Sequence, residues 1–594
     1  MEKRLEIIAK IKRRLAKEHL EFFFLTTGDP HLSEYPCERW KILERVTGFS
    51  GSNGFLVLSD FGDFLWTDSR YLLQAEKELQ GTSISIKQMV TGDEPLEWLA
   101  SFDRFPYGVV FDGDFFSQSF TDKLYPIVRQ DDGGCFTDFR LDKYVDMPDL
   151  PNTPVFLHPV EYCGESFSEK KERIFASISS DVTHLFLSSL DDIAWTFNIR
   201  SSDSSYTPYV ISYAILARNG TSILFADESR FDEGVKKYLK ENKVRICRYE
   251  KVKGYVKKFS CRSDVKFSID PSRLNHNLFH CFVPYYHHCS EPSPVPLLKS
   301  VKNATESRCV RNAVVKDGVA LVEAFAEIKT RIEEHVRTTE IDVSRILAKH
   351  RKMQENYFSD SFETISAYGP NGAVVHYSPK EEDCAEVGTD SLLLIDSGGN
   401  YYDGTTDITR VFAFGVPTAE QKRDYTAVLK GHIALATARF LKGTRGGELD
   451  VLAHQHLWRE GLDYGHGTGH GVGFFLSVHE GPQKISRTGN TSAFLQEGML
   501  LSDEPGVYRT GEYGIRIENM VQVVADGRSE FGEFLRFETL TLFPYEPRLI
   551  DKTMLDEKEI AWVNNYHEKV RTEILPRLFS PKAKDWLKEV TEKL

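Results

Sequence analysis

At 594 residues the chain exceeds what one hydrophobic core can organise, and roughly three or four domains of ordinary size are expected. Its 41% hydrophobic and 27% charged residues are those of a folded globular protein, which excludes the disordered and fibrous classes. A formal charge of -14, from 88 acidic against 74 basic residues, counts against a general nucleic-acid binder, which normally shows a basic face.

The N-terminal stretch carries Leu5, Ile8, Ile11 and Leu15 at helical spacing with charges between them. That pattern predicts an amphipathic helix and not a secretory signal. No apolar run reaches the length of a membrane span, so no membrane partner is expected. The nine cysteines are odd in number and scattered, which fits reduced thiols and a cytoplasmic location better than a disulfide framework. Asn219, Asn303 and Asn490 open glycosylation-like triplets, which carry no weight without an export signal.

After the first helix, "EFFFLTT", "GFLVLSD", "DFLWTDSRYLLQAEKEL" and "YGVVFD" alternate strand and helix signals, predicting an α/β domain over residues 1–150. The aromatics of "EFFFL" read as buried strand. A proline-rich passage, "DMPDLPNTPVF", marks the first boundary. A second α/β domain of similar style follows over 151–302, with "THLFLSSL", "YAILARNGTSILFAD" turning at Asn219-Gly220, and "VKFSIDP". The cluster His280, Cys281, His287, His288 and Cys289 matches no common zinc spacing and reads as core and loop surface.

From residue 303 to 594 one larger α+β domain is expected. Asn303 with Glu306 and Thr339 with Asp342 are capping signatures for its first two helices. Strands such as "SLLLID", "DITRVFAF", "GMLLSDEP" and "GIRIENMVQVV" come next. The C-terminal "IAWVNNYHEKVRTEIL" and "AKDWLKEVTEKL" read as helices packing back on the body.

Three passages of this last domain carry chemistry. In "LLLIDSGGNYYDGTTDITRVF", Asp396 ends an apolar strand and Asp407 opens the next, and the glycine-rich segment between them folds the two carboxylates together. Such a pair repels itself unless a cation intervenes. In "SDEPGVY", Glu504 stands at a strand end. In "GIRIENM", Glu518 is read as a mid-strand carboxylate whose face is opposite to Ile515 and Ile517, and so needs a partner. In "YGHGTGHGVGF", glycine occupies every second position around His466 and His470, an entropic cost expected only where a backbone approaches something closely. Its spacing is not that of a dinucleotide fingerprint. Asp396, Asp407, His470, Glu504 and Glu518 together suit two hard divalent ions, Mn²⁺ first and Co²⁺ or Zn²⁺ as substitutes, and hence hydrolase chemistry.

The series "VVHYSP", "DSGGNYYDGTTDITR", "GHGTGHGVG", "SVHEGP", "SDEPGVY" and "GIRIENM" closely resembles the pita-bread metallopeptidases, specifically the cytosolic aminopeptidase P (Xaa-Pro aminopeptidase) family. "GDPHLSEY", "GFSGSNG", "LWTDSRYLLQA", "LDDIAWTFNIR" and "WVNNYHEKVR" extend the resemblance over nearly the whole chain. It implies an α+β fold, in which a pita-bread catalytic domain follows two smaller α/β domains. It also implies two metals, usually manganese, on Asp396, Asp407, His470, Glu504 and Glu518, with Asp407 and Glu518 bridging.

His376, His466 and His479 match the family's substrate-binding and proton-handling histidines, and His470 lines the same substrate site. Arg516 matches an arginine backing the ligands at that site, and Arg70 a peptide-contacting arginine of the first domain, with a homodimer as the implied assembly. The implied reaction releases the first residue of peptides whose second residue is proline: a metal-bridging hydroxide attacks, Glu504 shuttles the proton, and His376 or His479 steadies the intermediate. A proline-specific dipeptidase (prolidase) and a non-catalytic peptide-binding module on the same fold are the competing readings. One departure stands out: Ser201 in "NIRSSD" replaces a glycine usual in the family, and a local loop change is expected there.

Overall fold

The structure is a computed structural model, describing residues 2–102, 108–128, 134–282, 288–487 and 493–594. They form two compact units: 1–160 with 165–298, and 161–164 with 299–594.

The first unit opens with the expected amphipathic helix, Glu2–Glu18, which buries Ile7, Ile8, Ile11 and Leu15; Leu5 falls on its exposed side. The "EFFFL" segment forms the strand Phe22–Thr26 with all three phenylalanines buried. It pairs antiparallel with Gly54–Ser59 and parallel with Gly108–Val110 inside a six-stranded mixed sheet. A second six-stranded sheet is built around His184–Leu187, which pairs antiparallel with Tyr213–Ala217 and parallel with Phe267–Ile269. Numbered by chain order within each sheet, both run fourth, third, second, first, fifth, sixth. The turn at Asn219-Gly220 joins two antiparallel strands, and Gly220 adopts the left-handed φ of +88° that such a turn requires.

Ser201 is fully buried. Its hydroxyl lies 2.7 Å from Thr153 Oγ1, with Pro154 O at 3.0 Å and Asp203 Oδ1 at 3.2 Å as acceptors for its one proton, beside the buried Arg230–Asp203 ion pair at 2.6 Å. A serine here adds a hydrogen-bonding group to a closed polar knot. Cys281 and Phe282 belong to the apolar core of the second sheet, and His287 lies outside the described residues, as does Asn490.

In the second unit the 30-residue helix Ala304–Glu333 starts on the predicted Asn303/Glu306 capping box, and Glu340–Lys352 on the Thr339/Asp342 box. The side chain of Asn303 is thus spent on backbone N–H groups. Both helices pack on an antiparallel sheet of Ile365–Tyr368, Leu392–Ser397 and Ile408–Ala413. A second, six-stranded sheet runs in the order Arg439–Leu441, Gly532–Thr539, Asn519–Ser529, Leu500–Asp503, Gly469–Gly471, Glu480–Ile485. The helices Ala419–Ala436 and Gly446–Arg459 interleave with the strands instead of preceding them all. The C-terminal helices Glu557–Ile574 and Pro581–Val590 bury Val563, Val570, Ile574 and Trp586 in the main core, as their apolar spacing predicts. No helix among the described residues is long and apolar enough to cross a membrane.

One expectation needs correction. "GIRIENMVQVV" is not a single strand with Glu518 in its middle. Tyr513–Arg516 pairs with Gly506–Arg509 in a hairpin, Ile517 and Glu518 lie between strands, and Asn519–Ser529 joins the larger sheet. The chain changes partners at Glu518, whose N–H donates to Thr409 O at 3.1 Å.

Candidate metal centre and peptide site

The two antiparallel strands Leu392–Ser397 and Ile408–Ala413 place Asp396 opposite Thr409 and leave Asp407 at the mouth of the second. Glu504 immediately follows Leu500–Asp503, and His470 is the central residue of the short strand Gly469–Gly471. Carboxylate oxygens of Asp407 and Glu518 and a ring nitrogen of His470 all lie within 4.8 Å of one another. His470 Nε2 is 3.3 Å from Asp407 Oδ2 and 3.5 Å from Glu504 Oε1. Its Nδ1 faces the carbonyl of Gly471 at 2.9 Å and must donate to it, which turns Nε2 toward the acids.

The alternating glycines have a spatial cause. A Cβ on Gly469 would meet Ser502 O at 2.0 Å, one on Gly471 would meet Glu480 O at 2.3 Å, and one on Gly473 would meet Ser477 O at 2.5 Å. What presses against this stretch is neighbouring backbone of the same unit, and that closeness brings His470 to the strand carrying Glu504. The hydroxyl of Ser502 joins them: it accepts from His470 N at 3.0 Å and donates to Glu504 Oε1 at 3.1 Å.

Four carboxylates in so small and buried a volume are electrostatically costly. Burial, with Asp407, Glu504 and Asp396 as neighbours, raises Glu518 well above the ordinary carboxylate range. Burial also raises Asp396 to about 6, against the opposing pull of Arg516. Glu504 is buried too, yet His470, His466, Arg516 and His479 together hold it below its usual value. For His470, burial is outweighed by Asp407 and Glu504, and its pKa rises to about 9. Asp396 Oδ1 is buried without a hydrogen-bond partner. An acid cluster that retains protons, an orphaned carboxylate oxygen and an imidazole nitrogen aimed into the cluster make a donor set that fits divalent cations.

Arg516 ties this set together from behind. Its guanidinium is buried and donates to Asp396 Oδ2 at 2.5 Å, Tyr508 Oη at 2.7 Å and Thr409 Oγ1 at 3.1 Å, and Nη2 lies 3.4 Å from Val375 O, the residue before His376. Thr409 in turn donates to Glu518 Oε2 at 2.7 Å. Tyr508 Oη, accepting from Arg516, sits 2.8 Å from His466 Nε2, whose partner nitrogen Nδ1 donates to Gly467 O at 2.8 Å. His466 thus bridges the backbone at Gly467 and, through Tyr508, the guanidinium of Arg516.

His479 meets His470 edge to face, with ring centroids 4.4 Å apart. Arg70 falls in the first unit, where its guanidinium is paired with Asp68 through two contacts of 2.8 Å. Tyr508, Thr409 and Ser502, which hydrogen-bond the candidate site residues, were passed over by sequence reasoning. All three lie within or beside the motifs "SDEPGVY" and "DITR", so adjacency to a ligand was the available signal.

Residues 308–525 match the model of metallopeptidase family M24, 146–306 the creatinase/prolidase N-terminal domain, and 533–594 the C-terminal region of peptidase M24. The chain is 36% identical to Xaa-Pro aminopeptidase 1 of Dictyostelium discoideum, over 98% of this chain and 95% of that one. It is likewise 36% identical to aminopeptidase P1 of Arabidopsis thaliana, over 99% of each. Among solved structures, the X-prolyl aminopeptidase of Caenorhabditis elegans, described as a cytosolic enzyme with a di-nuclear active site, superposes with a TM-score of 0.93 at 32% identity over all of both chains. The fold is thus the α+β one expected, with creatinase-like N-terminal architecture and a pita-bread second unit. The chain belongs to metallopeptidase family M24, in its Xaa-Pro aminopeptidase (aminopeptidase P) group.

Proposed function

We propose that this protein is a metal-dependent Xaa-Pro aminopeptidase that releases the first residue of peptides with proline second. The observation that carries the reading is the convergence of Asp407, His470 and Glu518, from three separate segments, on one buried point. Asp396, Asp407, His470, Glu504 and Glu518 would hold two divalent ions, with manganese the preferred metal. When bound, such ions supply Lewis-acid polarisation of the scissile carbonyl and activation of water at neutral pH.

The remaining steps fall to the chain itself. Glu504, kept ionised by the surrounding histidines and Arg516, accepts a proton and passes it to the leaving prolyl nitrogen. His479 and His376 donate hydrogen bonds to the oxygen on which charge develops, where fixed donors gain most in a water-poor site. His466, held by Tyr508 and the Gly467 carbonyl, and Arg516 with His470 shape the pocket around the bound peptide. The prolyl nitrogen has no N–H, so a site that offers it no acceptor discriminates in favour of proline. Arg70 is proposed as a further peptide contact, and a homodimer as the assembly. A cytoplasmic location is supported by nine free cysteines and by the cytosolic relative.

The test is hydrolysis of Xaa-Pro-Xaa tripeptides against Xaa-Pro dipeptides, after chelation and after Mn²⁺ is restored. Metal-dependent cleavage of the tripeptides is expected. A preference for dipeptides would make the protein a prolidase, and a metal-replete sample that cleaves neither would make it a binding module.

A further inference from the structure

Beside His479 lies a charged group that the reaction does not call on. Glu480, Lys299 and Lys302 are all buried, at 6%, 2% and 4% exposure. Lys302 Nζ donates to Glu480 Oε1, to Lys299 O at 3.2 Å and to Ser300 O at 3.4 Å, which accounts for its three protons. Lys299 Nζ stands 3.4 Å from Glu480 Oε2. One buried carboxylate therefore lies between two ammonium groups, hydrogen-bonded to Lys302 through Oε1 and within ion-pair distance of Lys299 through Oε2, which makes no hydrogen bond.

The lysines are mounted on a stiff support. Lys302 N donates to Gly498 O at 3.1 Å, Val301 bridges to Met499, and the next residue, Asn303, caps the long helix Ala304–Glu333. Glu480 is mounted against the metal ligand: it is the first residue of the strand Glu480–Ile485 and stands opposite Gly471, the neighbour of His470. His479 sits in the bend that enters this strand, directly before Glu480, so holding Glu480 on the lysines anchors that bend and the direction His479 takes from it. That way leads to His470, whose ring it meets at 4.4 Å.

A buried ion triad is a poor source of net stability, because apolar residues of the same volume often serve as well. It is an effective way to fix a direction, since any shift leaves a charge uncompensated. We infer that Glu480, clamped between Lys299 and Lys302, is a positioning residue that aims His479 at the reacting carbonyl. The inference rests on the role given above to His479, and its effect is on turnover rather than on substrate affinity or metal content.

The experiment is a double-mutant cycle on the full chain, pairing Glu480→Gln with His479→Asn and reading kcat, KM and bound manganese by elemental analysis. Glu480→Gln should keep the wild-type metal stoichiometry and a KM within about threefold, while kcat on an Xaa-Pro-Xaa tripeptide falls about tenfold, part of what a hydrogen-bond donor to the developing oxyanion contributes. In the His479→Asn background the same change should lower kcat by less than about twofold, because its target is gone. Equal losses in both backgrounds, or loss of manganese from Glu480→Gln, would overturn the inference. A His479→Asn enzyme with wild-type kcat would instead refute the role of His479, and the inference with it. Should Glu480→Gln fail to fold, Lys302→Gln, which leaves Glu480 its contact with Lys299, carries the same cycle with the same deciding outcomes.

Discussion

Replacing Gly469 by alanine isolates the cost of closeness at the metal centre. Gly469 does not adopt a left-handed φ, so the substitution introduces no backbone strain of that kind; it introduces only one carbon atom. That carbon would lie 2.0 Å from Ser502 O. Carbon and oxygen do not approach within about 3 Å without steep repulsion, so the two strands must part by about 1 Å. Ser502 holds His470 N and Glu504 Oε1 at 3.0 and 3.1 Å, so the wedge opens between two of the proposed metal ligands.

Overpacking of this kind costs about 1–3 kcal/mol of stability. A displacement of about 1 Å among reacting groups costs about a hundredfold in rate. Gly467→Ala is the internal control, because its Cβ would find no atom nearer than Ser486 Cβ at 3.4 Å. Thermal unfolding and kcat on an Xaa-Pro-Xaa tripeptide, both at saturating Mn²⁺, should rank Gly467→Ala near wild type and Gly469→Ala far below it. If Gly469→Ala matched wild type in both assays, or if Gly467→Ala proved the more damaging, steric closeness would not explain the glycine spacing.

Arg516→Met should leave Asp396 buried without its cation and cost about 3–5 kcal/mol, read as lost stability together with weaker manganese binding in a metal titration. Tyr508→Phe removes the hydroxyl that links Arg516 to His466; it should lower kcat/KM while bound manganese stays constant by elemental analysis. Chelation should reveal a pH dependence of stability. Asp396 moves from 3.8 to about 6 on folding, so the metal-free fold is penalised as pH rises through that window, by about 3 kcal/mol once it is fully ionised. His470, raised to about 9, contributes stability below 6.5 that is lost as pH climbs to 9. Both changes have the same sign, so the melting temperature of the chelated protein should fall from pH 5 to pH 9, and a flat profile would contradict the assigned shifts.

The proposed ligand set was legible because four members read as strand-end or glycine-flanked residues and the fifth, Glu518, as an acid inside an apolar strand, settings in which a lone acid or histidine has no local structural use. Capping signatures at Asn303 and Thr339 were legible for a similar reason, since the residues that satisfy a helix end lie three positions apart. Partnership across the fold was not. Nothing local to Tyr508 announces Arg516 on one side and His466 on the other, and the grip of Lys302 on Glu480 spans 178 residues. The break at Glu518 was hidden because alternation continues through "GIRIENMVQVV" while the pairing partner changes. The shared strand order of the two N-terminal sheets was equally hidden, since order is set by which edges meet and their sequences show no repetition.

Arg410 is fully buried and has no carboxylate among its hydrogen-bond partners. Its five N–H groups reach the carbonyls of Thr409, Glu518, Phe543 and Pro544, the side chain of Asn519 and the hydroxyl of Tyr566 in the penultimate helix. A nascent chain leaves the ribosome from its N-terminus, so all five proposed ligands emerge before the tyrosine that completes this cage. The enzyme should therefore mature late: a chain stalled or clipped short of residue 566 would carry every proposed metal-binding side chain and still lack one of the groups that steady Arg410 against Glu518.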